Sequence, residues 1–254
     1  MILWQQAVIV AAAFGAGMVN AVAGGGTLLS FPALVFVGRD PLLANATNTI
    51  ALWPGSLGGF LGHRREMSGA GRWIARLALP SLLGGITGAV LLLRTSSRTF
   101  ATLVPWLILG ATLLIAANEP VARWAQRDRA GRVGAAWWVG GVVFQFLVGV
   151  YGGYFGAGIG ILMLAALGVL GMIDIHKMNG VKNFLALLIN GVAAVYFAAS
   201  GKVLWADGLT MAAAAICGGL AGAALARWMG RRAVRRVVVA IGALMAISMF
   251  LRRL

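Results

Sequence analysis

Gly17-Met-Val-Asn20-Ala-Val-Ala-Gly24-Gly25-Gly26 lies near the start of the chain, and Gly149-Val-Tyr151-Gly152-Gly153-Tyr154-Phe155-Gly156-Ala157-Gly158 follows it at an offset of 132 residues. Two further matches have an offset of 134: Asn45-Ala46-Thr47 with Asn179-Gly180-Val181, and Gly84-Gly85-x-x-Gly88 with Gly218-Gly219-x-x-Gly222. Matches at nearly constant offset indicate that one structural unit occurs twice in the chain.

The composition places the chain in a membrane. It is 61% hydrophobic and 11% charged, whereas soluble domains carry far more charge on their surface. Uncharged runs such as residues 1–38 and 133–173 exceed the roughly 20 apolar residues that cross a bilayer. We therefore expect a polytopic membrane protein.

Two apolar runs are too long for a single crossing. As continuous helices, residues 4–37 and 135–170 would extend about 51 and 54 Å, against a hydrocarbon core of roughly 30 Å. Each run contains a glycine cluster, at Gly24-Gly25-Gly26 and from Gly152-Gly153 to Gly158-x-Gly160. Glycine is unfavourable inside helices, so each run is predicted to be a broken helix that folds into a hairpin or re-entrant pair.

The basic residues test this topology. If each broken helix returns to its starting side, four basic segments face the cytoplasm, around residues 64–76, 123–132, 177–182 and 227–236. They hold four, four, two and five Lys and Arg residues, which is 15 of the 21. The positive-inside rule favours this arrangement. Each half then has one broken helix and three transmembrane helices, an odd number of crossings, so the second half is inverted relative to the first.

We therefore predict an all-α membrane protein of two inverted repeats. The first transmembrane repeat covers residues 1–117, a basic cytoplasmic linker covers 118–134, and the second repeat covers 135–254. Inverted repeats with broken helices are typical of secondary transporters, which bind substrate between the repeats and open to either side in turn. The duplicated glycines thus indicate where a substrate binds.

The ionisable residues argue against other functions. All six Asp and Glu residues and both histidines lie at predicted span ends or in loops, and no His-Glu-x-x-His or Gly-x-Ser-x-Gly motif occurs. We expect no enzyme activity, no metal and no other cofactor. The net charge of +15 comes from basic residues at span ends, without a basic domain interleaved with aromatic residues, so we expect no nucleic-acid partner.

Neutral polar residues and glycines surround the two breaks. Helix N-termini at a break would present N–H groups and positive dipole ends, which suit a small anionic substrate. Structural roles are open for the same residues: the glycines for close helix packing, Lys182 for snorkelling to the cytoplasmic surface, and the asparagines for helix capping. The candidate substrate-binding residues are Asn20, Gly24, Gly25, Gly26, Thr27, Asn45, Thr47 and Asn48 in the first half, and Tyr151, Gly152, Gly153, Tyr154, Gly156, Gly158, Asn179, Lys182 and Asn183 in the second.

Both halves also resemble a known family. The stretch Asn20-Ala-Val-Ala-Gly24-Gly25-Gly26-Thr27-Leu-Leu-Ser-Phe-Pro32, followed by Ala44-Asn45-Ala46-Thr47-Asn48, is similar to the first repeat of the sulfite exporter TauE/SafE family. Gly149-x-x-Gly152-Gly153-Tyr154-Phe155-Gly156-x-Gly158-x-Gly160, followed by Asn179-Gly180-Val181-Lys182, resembles its second repeat. The resemblance implies a multi-pass permease of the bacterial inner membrane that exports sulfite, sulfoacetate or another sulfonate or organic anion.

Two positions depart from the family pattern. The second repeat has Ile161-Leu-Met-Leu-Ala165 where the family usually carries a proline, and Val181 stands where threonine is common. A different substrate preference would follow if that hydroxyl contacts substrate. Uptake of a sulfonate or organic anion stays open as an alternative, as does a non-transporting membrane assembly or regulatory protein. The sequence also leaves open whether the chain forms a homodimer.

Overall fold

The described part of the chain is built from α-helices. The computed structural model describes residues 3–22, 25–63, 67–125, 135–229 and 231–251, and these ranges contain no β-strand. The predicted all-α fold class is confirmed. The helices are α1 Leu3–Val22, α2 Thr27–Phe36, α3 Pro41–His63, α4 Gly71–Arg94, α5 Ser97–Ala116, α6 Asn118–Ala125, α7 Ala135–Tyr154, α8 Ile159–Val169, α9 Ile175–Ala199, α10 Trp205–Met229 and α11 Arg231–Leu251.

Several helices suit a bilayer in length and surface. In the described part of the chain, α1, α4, α5, α9 and α11 each contain a stretch long and apolar enough to cross one. Large apolar side chains lie on the outside of the bundle, for example Leu79 at 62%, Leu220 at 75% and Val195 at 68% exposure. Such a surface is stable against lipid and not against water. The protein is a polytopic membrane protein.

Both long apolar segments are hairpins. In the first, the Gln5 side-chain amide near the start of α1 donates to the carbonyl oxygen of Val37, just after the end of α2, at 3.3 Å. In the second, the start of α8 lies against Gly152 of α7, and Leu170, after the end of α8, lies against Gly141. The short arms therefore run antiparallel to the long ones, as the segment lengths predicted.

Two helix crossings use equivalent residues in the two halves. α4 crosses α7 where Gly84 faces the carbonyl oxygen of Phe146, and α10 crosses α1 where Gly218 faces that of Phe14. A Cβ at either glycine would overlap the oxygen, so only glycine permits this approach. The glycines are 134 residues apart and the phenylalanines 132, so the duplicated sequence forms a duplicated structure.

Equivalent helices α3 and α9 begin at opposite ends of α4. Gly69, just before α4, lies beside the Lys177 ammonium at the start of α9. Beyond the other end of α4, the Tyr154 hydroxyl contacts the Thr95 hydroxyl at 3.4 Å, and the Asn45 amide near the start of α3 donates to the Tyr154 carbonyl oxygen at 2.9 Å. The 24 residues of α4 separate these ends by about 36 Å. Inverted repeats would have this geometry; their orientation in the bilayer stays a prediction.

The start of the predicted linker is helical. α6 forms from its first eight residues, Asn118–Ala125, whereas residues 126–134 lie outside the described part of the chain. Glu119 of α6 forms an ion pair with Arg235 of α11. The linker helix is therefore tied to the second repeat; its cytoplasmic location and the boundaries at residues 117 and 135 stay predictions.

Candidate functional site

At the first break, the Asn20 side chain connects the two helices of the hairpin. Gly25 has φ +93°, a conformation that favours glycine, and a Cβ there would overlap the Ile115 side chain of α5. The Asn20 side-chain oxygen accepts a hydrogen bond from the Gly26 N–H at 2.7 Å, which connects the end of α1 to the start of α2. The predicted break is confirmed here, and Gly24 lies outside the described residues.

A second polar contact ties the short arm of this hairpin to α3. The Ser30 hydroxyl lies 2.5 Å from the Asn48 side-chain oxygen and 3.2 Å from the Gly26 carbonyl oxygen. Ser30 and Asn48 are 0% and 1% exposed, so water does not compete for the bond. Ser30 was not predicted as a site residue, although its place four residues after Gly26 puts it on the same face of α2.

Asn45 connects the first repeat to the second break. Its amide nitrogen donates to the carbonyl oxygen of Tyr154, the last residue of α7, at 2.9 Å. Its side-chain oxygen is buried and has no hydrogen-bond partner among the described residues. Because buried polar atoms are nearly always paired, this oxygen marks a place of unsatisfied polarity between the repeats.

The second break covers residues 155–158. Gly156 and Gly158 have φ +81° and +78°, and the Gly156 N–H donates to the Tyr151 carbonyl oxygen at 3.1 Å. The Tyr151 hydroxyl donates to the Ala157 carbonyl oxygen at 2.7 Å. Tyr151 thus holds the break through both its backbone and its side chain, and does not merely pack against a neighbouring helix.

The second break is shorter than predicted, because Gly152 and Gly153 lie inside α7. A Cβ at Gly153 would overlap the Gly85 carbonyl oxygen of α4, and one at Gly152 would lie 2.7 Å from the Ile189 side chain of α9. Assigning this pair to the break was therefore wrong. These two glycines allow neighbouring helices to approach α7, and the helical hydrogen bonds persist through them.

One side of the second break is accessible. Tyr154, Gly156, Gly158 and Gly160 are half-buried, whereas the residues between them, 155, 157 and 159, are buried. The accessible side therefore presents mainly glycine backbone, which a small solute can approach closely.

Lys182 lies beside this accessible side. The Cδ of its side chain would be 3.2 Å from a Cβ at Gly160, and its ammonium donates to the Asn179 side-chain oxygen at 2.9 Å. Asn179 in turn donates to the Ile175 carbonyl oxygen at 2.9 Å, and Asn183 follows half-buried on the same helix. Lys182 is the eighth residue of α9, about 10 Å from its start, deeper than any other Lys or Arg in the described helices.

Both short arms begin after a glycine, which has no side chain to cap its own helix. Gly26 precedes α2, where the Asn20 side chain accepts from the Gly26 N–H, and Gly158 precedes α8. The N–H groups in a first turn have no partner within their helix and form the positive end of its dipole. Thr27, at the start of α2, is half-buried. The start of α8 together with Lys182 is therefore electropositive and glycine-lined, which favours a small anion.

The candidates form several contacts and not one cluster. Asn20 joins Gly26, Asn48 joins Ser30, Asn45 joins Tyr154 and Asn179 joins Lys182. Thr47 lies apart: its hydroxyl accepts from the Leu204 N–H at 3.0 Å, at the start of α10. An aromatic cluster that the sequence analysis missed lies between the two breaks. It consists of Phe31, Phe100 and Phe155. The ring centroid of Phe31 lies 5.5 Å from that of Phe155 and 6.3 Å from that of Phe100.

Comparisons with known proteins agree with this architecture. The model of the family described as sulfite exporter TauE/SafE matches residues 9–249. A "Probable membrane transporter protein" of Haemophilus influenzae is 28% identical over 96% of this chain and 93% of its own length. "Probable membrane transporter protein YfcA" of Escherichia coli is 26% identical over 91% of this chain and 84% of its own. "Probable membrane transporter protein ORF9" of Sinorhizobium sp. is 26% identical over 94% and 89%.

No solved structure matches the chain. The family match extends from α1 into α11 and so includes both hairpins and the helices that surround them. Its relatives are named as transporters and not as enzymes. The protein is a membrane transporter that belongs to the sulfite exporter TauE/SafE family.

Proposed function

We propose that the protein exports a small sulfur-containing or organic anion, such as sulfite or sulfoacetate, across the bacterial inner membrane. The observation that carries this proposal is the start of α8: an uncapped helix N-terminus inside the protein, with an accessible glycine-lined side and Lys182 against it. Backbone N–H groups and an ammonium stabilise negative charge, and their effect is larger where water is scarce.

The roles of the candidate residues follow from their contacts. The first-turn N–H groups of α8 and Lys182 supply the positive charge, and Asn183 lies on the same helix. Asn20, Asn45 and Tyr151 hold the two breaks in shape through hydrogen bonds to backbone atoms. Because α3 and α9 begin at opposite ends of α4, rocking of one repeat against the other would open the breaks to each side in turn.

The family description supports the substrate class and the direction of transport. A sulfonate or sulfite head group is small and carries its charge on oxygens that accept hydrogen bonds from N–H groups. The distribution of Lys and Arg supports an inner-membrane orientation in which the starts of α4 and α9 face the cytoplasm.

The test is transport by purified protein in proteoliposomes. Charge movement is recorded after rapid jumps of sulfite, sulfoacetate, sulfate and chloride, with isotope exchange as a second readout for electroneutral transport. We expect a saturable signal for sulfite or sulfoacetate that empty liposomes lack. Preloaded vesicles of known protein orientation then separate export from uptake.

Lys182→Gln tests the position of the site. We expect this variant to raise the KM for the anion at least tenfold. The matched control is Lys177→Gln, which removes a charge from the same helix beside Gly69 and should change the KM less than twofold. If neither charge movement nor isotope exchange is detected for any of the four anions, anion transport is contradicted. If Lys182→Gln and Lys177→Gln change the KM equally, the site at α8 is contradicted.

A further inference from the structure

The buried oxygen of Asn45 lies beside the end of α7. The Asn45 amide nitrogen donates to the carbonyl oxygen of Tyr154, the last residue of α7, at 2.9 Å. Since only the nitrogen can donate, this bond fixes the orientation of the amide and places its oxygen next to the same helix end. Asn45 is 1% exposed, and its oxygen has no hydrogen-bond partner among the described residues. This acceptor therefore lacks the partner that it would have in water.

The end of α7 supplies further oxygen atoms. The last four carbonyl groups of an α-helix have no N–H partner in a following turn, and they form the negative end of the helix dipole. The chain leaves α7 at Phe155 and Gly156, whose N–H groups both donate to the Tyr151 carbonyl oxygen. The Tyr154 carbonyl oxygen instead faces Asn45. Oxygens from both repeats therefore meet at the start of the second break.

Aromatic side chains surround the residues of this helix end. The ring centroid of Phe155 lies 5.5 Å from that of Phe31, and the ring centroid of Tyr154 lies 5.7 Å from that of Phe100. Phe31 and Phe100 are 0% exposed, and Phe155 is 3% exposed. Electrostatic attraction is larger in such surroundings than in water. An oxygen here therefore attracts a positive charge more strongly than the same oxygen at the surface.

The second repeat shows what the equivalent oxygen binds. Asn179 follows Asn45 at the offset of 134 residues, and its side-chain oxygen accepts from the Lys182 ammonium at 2.9 Å. The position equivalent to Lys182 is Asn48, a shorter and uncharged residue whose oxygen lies 2.5 Å from the Ser30 hydroxyl. The first repeat thus keeps the asparagine oxygen and has a neutral residue in place of the ammonium. A free cation would supply the charge that Lys182 supplies in the second repeat.

The available ligands suit a monovalent cation. They are neutral oxygens of an amide and of backbone carbonyls, which together with helix C-termini bind Na⁺ in broken-helix transporters. Divalent cations in proteins usually have carboxylate ligands. Asp40, the acid nearest to Asn45 along the chain, accepts instead from the N–H groups of Leu42 and Leu43. A neutral amide oxygen does not take up a proton near neutral pH, so this place does not suit a proton.

We propose that the Asn45 side-chain oxygen and the carbonyl groups at the end of α7 bind a monovalent cation such as Na⁺, as a co-substrate and not as a resident metal. Residues 155–158 connect this place to the start of α8, where the anion is proposed to bind, so the coupling between the two ions rests on the proposed function. Opposite charges at the two sides of one short break attract each other. Each ion therefore raises the affinity for the other by the same factor.

The site is tested by the binding of radioactive Na⁺ to the purified protein in detergent, without anion substrate and with choline to keep the ionic strength constant. We expect the parent to bind Na⁺ saturably, one ion per chain. Asn45→Leu removes the oxygen at similar volume, and we expect it to weaken Na⁺ binding at least tenfold. The matched control is Gln145→Leu, which removes another buried amide oxygen that has no partner among the described residues. Gln145 lies in the body of α7 and not at its end, so the control should bind Na⁺ within twofold of the parent.

Asn45→Asp keeps the test available where Asn45→Leu does not fold. It replaces the amide by a carboxylate of the same shape, so we expect at least a threefold gain in Na⁺ affinity at pH 8. Size-exclusion chromatography checks the folding of each variant. The coupling is read in proteoliposomes, where replacing choline by Na⁺ should lower the KM for the transported anion at least threefold in the parent.

A parent protein that does not bind Na⁺ saturably would overturn the site, as would equal weakening by Asn45→Leu and Gln145→Leu. Where only Asn45→Asp folds, an affinity equal to that of the parent would overturn it. Na⁺ binding at Asn45 with the same anion KM in Na⁺ and in choline would overturn the co-substrate role. Binding is measured without anion, so it is independent of the flux assay. An absence of anion flux counts against the proposed function, whereas anion flux without Na⁺ binding counts against the cation site alone.

Discussion

Replacement of Ser30 by alanine tests how the first hairpin is held against α3. The hydroxyl lies 2.5 Å from the Asn48 side-chain oxygen, and both residues are essentially inaccessible. Ser30→Ala removes the donor and leaves a buried acceptor without it. Such a stranded group costs about 1–3 kcal/mol. For a chain of this length, about 2 kcal/mol corresponds to a fall of roughly 6 °C in Tm.

Substitution of the partner residue, Asn48→Ala, should cost less hydrogen-bond energy than Ser30→Ala. In Asn48→Ala the Ser30 hydroxyl keeps the Gly26 carbonyl oxygen as an acceptor at 3.2 Å, so no buried donor is stranded. The double variant should be less destabilised than the sum of the single variants by about 1 kcal/mol, because the two residues share one contact. Thr87→Ala is the control: its exposed hydroxyl donates to the Leu83 carbonyl oxygen within its own helix, and the change should be within about 0.5 kcal/mol.

The assay is thermal unfolding of detergent-solubilised protein, followed by the fluorescence of its nine tryptophans. Centrifugation before and after heating separates unfolding from aggregation. If Ser30→Ala melts within 1 °C of the parent while Thr87→Ala does the same, the buried contact does not stabilise the hairpin and the reasoning is refuted.

Three other substitutions follow from the same structure. Gly84→Leu should prevent the close crossing of α4 and α7 and abolish folded protein in size-exclusion chromatography, whereas Gly110→Ala, with open space at its Cβ, should elute as the parent does. Tyr151→Phe removes the hydroxyl that donates to the Ala157 carbonyl oxygen, and should lower stability in a denaturant titration by about 1–2 kcal/mol; a change below 0.5 kcal/mol would contradict that bond. Gly158→Ala forces an ordinary residue to φ +78°, and should lower stability by about 1–2 kcal/mol although its Cβ meets no atom closer than 3.5 Å. An unchanged melting temperature for that variant would show that the second break relaxes its backbone freely.

The backbone of the two breaks was predicted correctly where its conformation depends on neighbours along the chain. Gly25, Gly156 and Gly158 have positive φ at the two breaks, as the length of the apolar runs and the placing of glycine indicated. Gly152 and Gly153 were assigned to the break because they belong to the same glycine cluster as Gly156 and Gly158. Only the position of α4 and α9 shows that these two glycines serve helix contact.

Residues whose partners are distant in sequence could not be assigned in advance. Ser30 looked like an ordinary small residue of an apolar run, and its importance comes from Asn48 on another helix. Asp207 was recognised as lying at a span end, yet nothing in its surroundings along the chain shows that it is buried or that Arg39, 168 residues away, is its partner. Such pairs depend on how helices are placed, which local patterns do not encode.

The sequence by itself determined the membrane class, the helical fold, the duplication and the location of two breaks. It could do so because hydropathy, length and glycine placement act locally: a run of apolar residues must be helical in lipid, and a run longer than the bilayer must break or fold back. The tertiary structure decided which glycines bend the backbone and which admit a neighbouring helix. It also decided that Asp207 of the second repeat pairs with Arg39 of the first, whereas the position equivalent to Asp207 in the first repeat is Trp73. That difference arises because side chains far apart in the chain become partners only after the helices have assembled.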